Sequence, residues 1–377
     1  MGKSDKKDKK NKKGKHVSPM DMDDVPMGLP DELQRQKTRA TCNKDFVNNA
    51  SGHQYSGAYM TLDNDNSLNL EKFKTDFRIE VKALDEESIV FDMVGIDAAI
   101  ANAFRRILIA EVPTMAIEKV FIANNTSIIQ DEVLAHRLGM IPIRADPRDF
   151  SFKTEEATAS ENNTIVMRLN VRCVRDKADK TKVVNKEVLT SQMEWLPRGS
   201  EYPPDQEKKY TTFQRTQEEM FQDSPIACVH DDVVIAKMRP GQEIELEAHC
   251  VKGIGATHAK WSPVATASYR MLPEVEFLQP VEGGEAAELV ATCPQKVFDI
   301  EDLGSKKVAV AARPRDCTLC RECIRKEGWE EKVRLQRKRD HFIFSIESSG
   351  VLPPEVLFTE AVQILSRKAE KVMDKIM

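Results

Sequence analysis

A chain of 377 residues is long enough to form two or three domains with cores of their own. Hydrophobic residues make up 41% and charged residues 31%, and no apolar run approaches the roughly 18 residues that a membrane helix needs. The formal net charge is -5, but residues 1–16 hold eight lysines and two aspartates, a local +6, so the rest of the chain carries -11. Because phosphate binding needs concentrated Lys and Arg, so acidic a body favours protein partners over direct nucleic-acid binding.

Residues 1–70 are predicted to be a disordered basic and polar tail. Lys3 to His16 is low in complexity, and Met20 to Ser67 is rich in Asp, Asn and Met without sustained periodicity. The start is lysine-rich rather than apolar, so it does not match a secretory signal. The lysine cluster is typical of a nuclear localisation signal or a loose nucleic-acid tail, and a merely solubilising tail is an equal alternative.

Beyond the tail, the pattern predicts two antiparallel strands followed by an amphipathic helix. The alternating apolar residues of the two strands are Phe77, Ile79, Val81, Ile89, Phe91 and Met93. Gly95 marks a turn, Asp97 is placed to cap a helix, and Pro113 cannot continue it. One face of this helix is apolar throughout: Ile96, Ile100, Phe104, Ile107 and Leu108. Such a face packs either on the chain's own sheet or on a partner.

The middle of the chain alternates short strands, one helix and a long polar excursion. Ile117 to Ile122 and Asn163 to Cys173 are predicted strands, and Asp131 to Leu138 is a predicted helix that ends at Gly139. Residues 175–223 are polar and broken by prolines, so little regular structure is expected there. Ile244 to Cys250 alternates as a strand, with Val264 to Arg270 as its expected partner.

Two features of the middle region invite a ligand interpretation that their residues do not support. Gly253 and Gly255 lack the third glycine of a dinucleotide loop, so a tight loop between strands is predicted. His258 has no cysteine or carboxylate at ligand spacing, so we expect it to be structural.

The C-terminus is predicted to form a strand and a long amphipathic helix. Phe342, Phe344 and Ile346 mark the strand, and Pro354 stands where a helix tolerates proline, in its first turn. The apolar stripe of the helix is Leu357, Ala361, Ile364, Leu365, Ala369, Val372 and Ile376.

Four of the eight cysteines form a pattern that indicates a metal or cluster site. Cys293 precedes a proline, and Cys317, Cys320 and Cys323 follow in C-x2-C-x2-C spacing. This pattern is typical of one [4Fe-4S] cluster, with three ligands from the triplet and the fourth from the distant C-P cysteine. Zinc is the runner-up, because it usually takes two separated C-x2-C pairs. A site that has lost its metal is a third alternative. The other cysteines lie alone, and Cys173, Cys228 and Cys250 are expected in strands or cores.

Five stretches in order carry a family resemblance. They are N-A-F-R-R-I-L-I-A-E-V-P-T-M-A-I-E from Asn102, L-A-H-R-L-G-M-I-P-I-R from Leu134, the glycine-rich stretch Gly241 to Arg270, the cysteine block, and F-S-I-E-S-S-G-V-L-P-P-E from Phe344. The chain from Phe77 onward resembles the alpha-like subunits of multisubunit RNA polymerases (the alpha/D subunit family), above all the large alpha-like subunit shared by eukaryotic RNA polymerases I and III.

The resemblance implies an α+β fold with a discontinuous dimerisation domain, made of an antiparallel sheet and two long helices. We expect this domain in residues 71–115, 241–282 and 338–377, a mostly β domain inserted at 116–240, and a small ferredoxin-like insert at 283–337. It also implies that the helices after Asp97 and Pro354 face a partner subunit. The expected interface residues are Ile100, Phe104, Arg105, Arg106, Ile107, Leu108, Leu357, Ala361, Ile364, Leu365 and Val372.

No catalytic constellation stands in the sequence, neither G-x-S-x-G nor H-E-x-x-H nor a carboxylate run for magnesium. The expected function is therefore a non-catalytic assembly subunit of nuclear and nucleolar RNA polymerases I and III. It would pair with the small alpha-like subunit and nucleate docking of the two large catalytic subunits, with Arg105 and Arg106 toward the latter. An iron–sulfur electron-transfer protein and a zinc-type nucleic-acid binder are the alternatives.

Overall fold

The computed structural model describes residues 30–49, 69–154, 156–176, 182–203, 208–222, 224–304 and 306–376. The helices are α1 (Asp31–Thr38), α2 (Leu70–Asp76), α3 (Ala98–Ala110), α4 (Asp131–Gly139), α5 (Gly283–Thr292) and α6 (Pro354–Ile376). The strands are β1 (Arg39–Cys42), β2 (Val47–Asn48), β3 (Arg78–Leu84), β4 (Ser88–Val94), β5 (Pro113–Asn125), β6 (Ile143–Arg144), β7 (Thr164–Arg172), β8 (Val174–Arg175), β9 (Val183–Val184), β10 (Glu187–Leu189), β11 (Met193–Trp195), β12 (Ala227–Cys228), β13 (Val234–Lys237), β14 (Glu243–Ile254), β15 (Val264–Phe277), β16 (Phe298–Asp302), β17 (Lys307–Ala311) and β18 (Val333–Ser348). No helix in these ranges is long and apolar enough to cross a membrane.

Strand β18 is the centre of a six-stranded sheet in the order β2-β1-β18-β4-β3, with β15 on the other edge of β18. Its residues 341–347 pair with β4, its residues 335–338 pair with β1, and β15 runs antiparallel along almost its whole length. The expected antiparallel pairing of the strands around Ile79 and Phe91 is confirmed as β3 and β4. A chain segment from each end and one from the middle therefore meet in one sheet.

Helices α3 and α6 cover one face of this sheet. Gly95 takes a left-handed φ of 80° where a Cβ would lie 2.7 Å from the Asp76 carbonyl group, and the Asp97 side chain accepts from the Ala99 amide as the helix cap. The rings of Phe91 and Phe358 pack edge to face with their centres 4.8 Å apart. The centre of the Phe104 ring lies 5.3 Å from that of Phe358. Strand and both helices thus share one core.

A second, four-stranded sheet has the order β11-β7-β14-β5 and packs one face on α4. Here the sequence prediction is wrong in two respects. Strand β14 pairs with β5 and β7, and β15 pairs with β18. Residues 243–254 thus belong to the inserted sheet, not to the dimerisation sheet that was expected to resume at 241. Alternation in a strand shows which residues share a face but not which strand lies beside it.

The cysteine block packs against the far half of β15 and β18. Helix α5 and the β16–β17 hairpin form a small core with Val333 and Leu335 of β18. Val275 and Phe277 of β15 pack against the same core, so the insert folds onto the large sheet rather than standing apart.

Residues 30–49 correct the expected tail. Helix α1 is followed by β1, whose Ala40 and Cys42 are buried against β18. This pairing joins residues almost 300 positions apart in the sequence, so no local sequence pattern predicts it. The remainder of the expected tail, residues 1–29 and 50–68, lies outside the described residues.

Candidate docking surface and cysteine site

Five of the expected interface residues lie inside the chain's own core. Phe104, Ile107, Leu108, Leu357 and Ala361 are all buried between α3, α6 and the six-stranded sheet. They hold the helices onto the sheet, so they do not form a free surface in this chain.

The other expected residues are accessible. Ile100 is 36% and Val372 is 56% exposed, and Ile364 and Leu365 are half-buried beside the core. Arg106 is exposed, whereas the Arg105 guanidinium is tethered to Asn102 Oδ1 at 3.0 and 3.1 Å. Arg106 is therefore free to contact a partner, whereas Arg105 would first have to release Asn102.

Strand β3 extends the apolar surface in a way that sequence reasoning missed. Register pairs Ile79 with Met93 and Val81 with Phe91, so these side chains project to the helix-bearing face. Ile79, Val81 and Leu84 are 43, 56 and 55% exposed because β3 is an edge strand that neither helix covers. The alternating apolar residues correctly predicted the antiparallel pair. Alternation in the sequence does not show whether a helix covers the outer strand of that pair.

Helix α6 exposes a further set of apolar side chains. Val362, Val372, Met373 and Ile376 recur at helical spacing and are 42 to 79% exposed. At its base, Lys368 Nζ bridges both oxygens of Glu111 at 2.7 and 2.9 Å, which fixes α6 against the end of α3. We call the exposed residues of β3 and α6 the open apolar face. Clustered exposed apolar side chains are typical of surfaces that a partner covers.

The four predicted ligand cysteines converge on one small cavity. Cys293, Cys317, Cys320 and Cys323 line it together with Phe298 and other apolar neighbours. The Cys293 sulfur accepts from the Val297 amide, and the Cys317 sulfur accepts from the Leu319 amide, each at 3.4 Å. Amide donors directed at sulfur stabilise thiolate and are found around iron–sulfur ligands.

The backbone of this site is shaped for close convergence. Leu319 and Arg321, on either side of Cys320, have φ of 58° and 67°, and Lys296 has 52°. Residues other than glycine rarely adopt a positive φ, and such backbone conformations cluster at functional sites. Burial, then the neighbouring thiols, raise the pKa of Cys323 to about 12, and burial also raises the pKa of Cys317. Neutral thiols are thus favoured until a cation binds among them.

The cavity among the four cysteines is small. The cavity holds about 10 Å³, roughly one water molecule, and no group of three or more His, Cys, Asp or Glu in the described ranges stands at metal-ligand spacing. The donor types and their convergence on one cavity fit a cluster, and the four sulfurs would have to adjust their positions to ligate it. Cys42, predicted to be isolated, is buried in this same core beside Cys317.

Arg315 connects the cysteine site to the six-stranded sheet. Its guanidinium donates two bonds of 2.7 Å to Asp92 of β4, which is also 3.0 Å from His341 Nε2 of β18. Its carbonyl oxygen accepts from Arg270 at 2.9 Å. Asp92 is 2% exposed. Burial raises its pKa, but the bonds and charges of Arg315 and His341 outweigh this, so its pKa lies below the usual range.

Comparison with known proteins identifies the family to which this fold belongs. The model of the RNA polymerase Rpb3/Rpb11 dimerisation domain matches residues 90–369. This range includes α3, most of α6, the four-stranded sheet, strands β15 and β18, and the cysteine block. The chain therefore belongs to the family of RNA polymerase subunits that carry this domain.

Within that family, the chain is 47% identical over 347 residues to the DNA-directed RNA polymerases I and III subunit rpac1 of Dictyostelium discoideum, covering 91% of this chain and 94% of that protein. It is 46% identical over 358 residues to the DNA-directed RNA polymerases I and III subunit RPAC1 of Homo sapiens, covering 93% and 98%. Identity to the DNA-directed RNA polymerase II subunit rpb3 of Dictyostelium discoideum is 33% over 300 residues, 77% and 91% of the two chains.

Proposed function

We propose that this chain is the alpha-like assembly subunit shared by DNA-directed RNA polymerases I and III. Its identity to the subunits of those polymerases is 46–47%, against 33% to the polymerase II subunit of one of the same organisms. In this role it acts in the nucleus, including the nucleolus, and supports synthesis of rRNA precursors, 5S rRNA and tRNA. It performs no chemistry itself and meets DNA only through the complex.

The open apolar face is the observation that carries the proposal. It comprises Ile79, Val81 and Leu84 of β3 and Val362, Val372, Met373 and Ile376 of α6. In water these side chains gain by burial, at about 25 cal/mol per Å² of apolar surface covered. We infer that the small alpha-like subunit covers this face, and that the resulting pair docks the two large catalytic subunits.

The test of this proposal changes only exposed positions. Val372→Glu combined with Ile376→Glu should reduce recovery of the small alpha-like subunit at least about tenfold in a co-expression pull-down, because two charges would be buried at the interface. The matched control is Lys371→Glu, on the same turn of α6, and the thermal midpoint of each chain verifies folding. Full recovery of the partner by the folded double variant would place the interface elsewhere.

We further propose that Cys293, Cys317, Cys320 and Cys323 hold one [4Fe-4S] cluster with a structural role. The support is their convergence with amide donors on two of the sulfurs. Bound, the cluster would supply metal–thiolate bonds that stabilise an insert with a small core of its own. None of the relatives named above is an electron-transfer protein, and no redox partner site is needed for a structural role.

Anaerobic purification tests this second proposal. We expect brown protein with equal iron and sulfide, and a Cys320→Ser variant that loses the colour and unfolds the insert. Partner recovery should fall modestly in that variant. Colourless protein with one zinc per chain would show that the four cysteines bind zinc instead of a cluster. Metal-free protein with a normal Cys320→Ser variant would show that the four thiols bind no metal.

A further inference from the structure

The outer face of the four-stranded sheet carries a large open groove that the proposed function does not use. The groove has a volume of about 1520 Å³. Phe121 of β5, with His249 and Val251 of β14, forms its floor. Residues 152–154 and 157–162 line one side, and residues 210–212 and 214 line another. It lies on the face opposite α4, because Lys119 and Phe121 pair with His249 and Glu247, whereas Leu246 and Ala248 face the core.

Positive charge in the groove is not fully balanced from within the chain. Lys260 is bound to Glu118 and the Ile117 carbonyl oxygen, and Lys252 donates to the Phe150 carbonyl oxygen at 2.8 Å. Lys119 and Lys153 have no hydrogen-bond or ion-pair partner among the described residues.

Burial, then the charge of Lys119, lower the pKa of Lys153, so the two ammonium groups are close enough to repel one another. A carboxylate placed between them would relieve that repulsion.

Aromatic surface lies beside these lysines. Tyr210 stacks on Phe121 with ring centres 4.3 Å apart and is 51% exposed. Phe152 is 56% exposed, and Lys252 Nζ lies 5.0 Å from its ring centre. Exposed aromatic rings next to free cations form the kind of anchor that dominates peptide binding, since they bury much area at little cost in side-chain entropy.

We propose that this groove binds an extended segment of a partner protein in which carboxylates alternate with apolar side chains. The carboxylates would meet Lys119 and Lys153, and the apolar side chains would pack on Phe152 and Tyr210. A peptide suits the groove better than nucleic acid does. The lining contains no arginine, the side chain whose planar fork of donors best recognises phosphate groups.

Fluorescence anisotropy on the full chain, purified with its small partner subunit, tests the proposal. The probe is a labelled peptide of about twelve residues that alternates glutamate with phenylalanine and leucine. We expect binding that weakens as salt rises from about 50 to about 500 mM. Lys119→Glu with Lys153→Glu should weaken it at least about tenfold, and Phe152→Ala should weaken it about fivefold.

Matched controls separate this groove from charge in general. Lys182→Glu with Lys186→Glu makes the same charge change on exposed lysines of the same inserted domain, outside the groove lining, and should leave binding unchanged. All variants should retain the small subunit, so failure here is distinct from failure of the proposed pairing. The proposal is overturned if a lysine-for-glutamate version of the peptide binds equally well, if the groove variants bind normally, or if an RNA of the same length binds more tightly than the peptide.

Discussion

Two buried carboxylates show how single residues hold distant parts of this chain together. Asp92 joins β4, β18 and the cysteine block through Arg315 and His341. Glu247 of β14 accepts from the amides of Glu201 and Tyr202 at 2.7 and 3.1 Å and from the Ser200 hydroxyl, which fastens the loop that covers part of the inserted sheet. Each is a charge that is stable in the interior only because the fold directs donors at it.

Asp92→Asn should lower the free energy of unfolding by about 2–3 kcal/mol near neutral pH, because it leaves the Arg315 guanidinium facing a neutral amide. The folded-state pKa of Asp92 is depressed, so this stabilisation is present above the unfolded pKa of about 4 and is lost as pH falls through the folded value. Urea unfolding of both chains at about pH 7 and about pH 3 measures the difference. Equal midpoints at neutral pH would show that Arg315 does not depend on this carboxylate.

Glu247→Gln should loosen the chain around Ser200, Glu201 and Tyr202. Burial raises the Glu247 pKa, but the neighbouring His249 and the bonds from Ser200 and Glu201 lower it overall, so the carboxylate is the form that the loop binds. An amide nitrogen facing amide donors would cost about 1–3 kcal/mol. Trypsin should then cut after Lys208 or Lys209 several-fold faster. Glu218→Gln, an exposed position near the same loop, is the control and should be cut at the wild-type rate.

At the scale of elements, α3 and α6 serve two surfaces at once. Their inner sides close the core of the six-stranded sheet, and the outer end of α6 carries part of the open apolar face. A helix of 23 residues is about 34 Å long, and only its first two turns contain buried residues, with Ala361 the last. Ile364, Leu365 and the Lys368–Glu111 ion pair still hold the next turns to the chain. The turns after Lys368 gain little from the chain itself, so a partner that covers them would stabilise them.

Phe104→Asp should unfold the chain rather than merely release its partner. The side chain is 8% exposed and packs on Phe358, so an unpaired carboxylate there costs several kcal/mol. Insoluble protein, or a large fall in thermal midpoint without any partner, is the expected result. Ile100→Asp, on the exposed side of the same helix, should keep the midpoint within a few degrees. A folded Phe104→Asp chain that has only lost its partner would put this ring in the interface.

At the scale of the whole molecule, separate surfaces are available to separate partners. The open apolar face, the arginines of α3 and the groove of the inserted sheet involve different residues. The six-stranded sheet supports the first two, and Arg315 fastens the cysteine block to the same sheet. A scaffold subunit needs this separation, because each partner must bind without displacing another.

Arg105→Ala with Arg106→Ala should leave the pair with the small subunit intact and weaken capture of the second-largest polymerase subunit. Arg106 is exposed and Arg105 is held by Asn102, so neither contributes to the core. Arg106→Lys should restore capture only in part, since an ammonium lacks the planar fork of donors. Quantitative pull-down of the reconstituted subassembly measures both effects. Loss of the small subunit in the double alanine variant would make the arginines part of the first interface.

The sequence by itself determined the local elements and the family. The helix cap at Asp97, the stop before Pro113, the helix from Asp131, the strand from Thr164 and the helix start at Pro354 are all as predicted. His258 is structural as expected, because its Nδ1 accepts from the Lys260 amide. Gly255 serves close packing, since a Cβ there would lie 2.2 Å from the Ile109 carbonyl oxygen. These features depend on residues within a few positions of one another, so the sequence alone is enough to predict them.

Only the tertiary structure decided which surfaces meet. Periodicity shows that one face of α3 is apolar, yet it cannot show that Phe104 and Leu108 face the chain's own sheet while β3 stays uncovered. Alternation made β14 a strand, but its partners β5 and β7 lie far along the sequence, and β1 joins β18 across almost the whole chain. The same long-range packing brings Cys42 to the cysteine site and Arg315 to Asp92. Contacts of this range are selected by the free energy of the complete core, because the entropy of closing long loops is recovered only when all the burial it allows is in place.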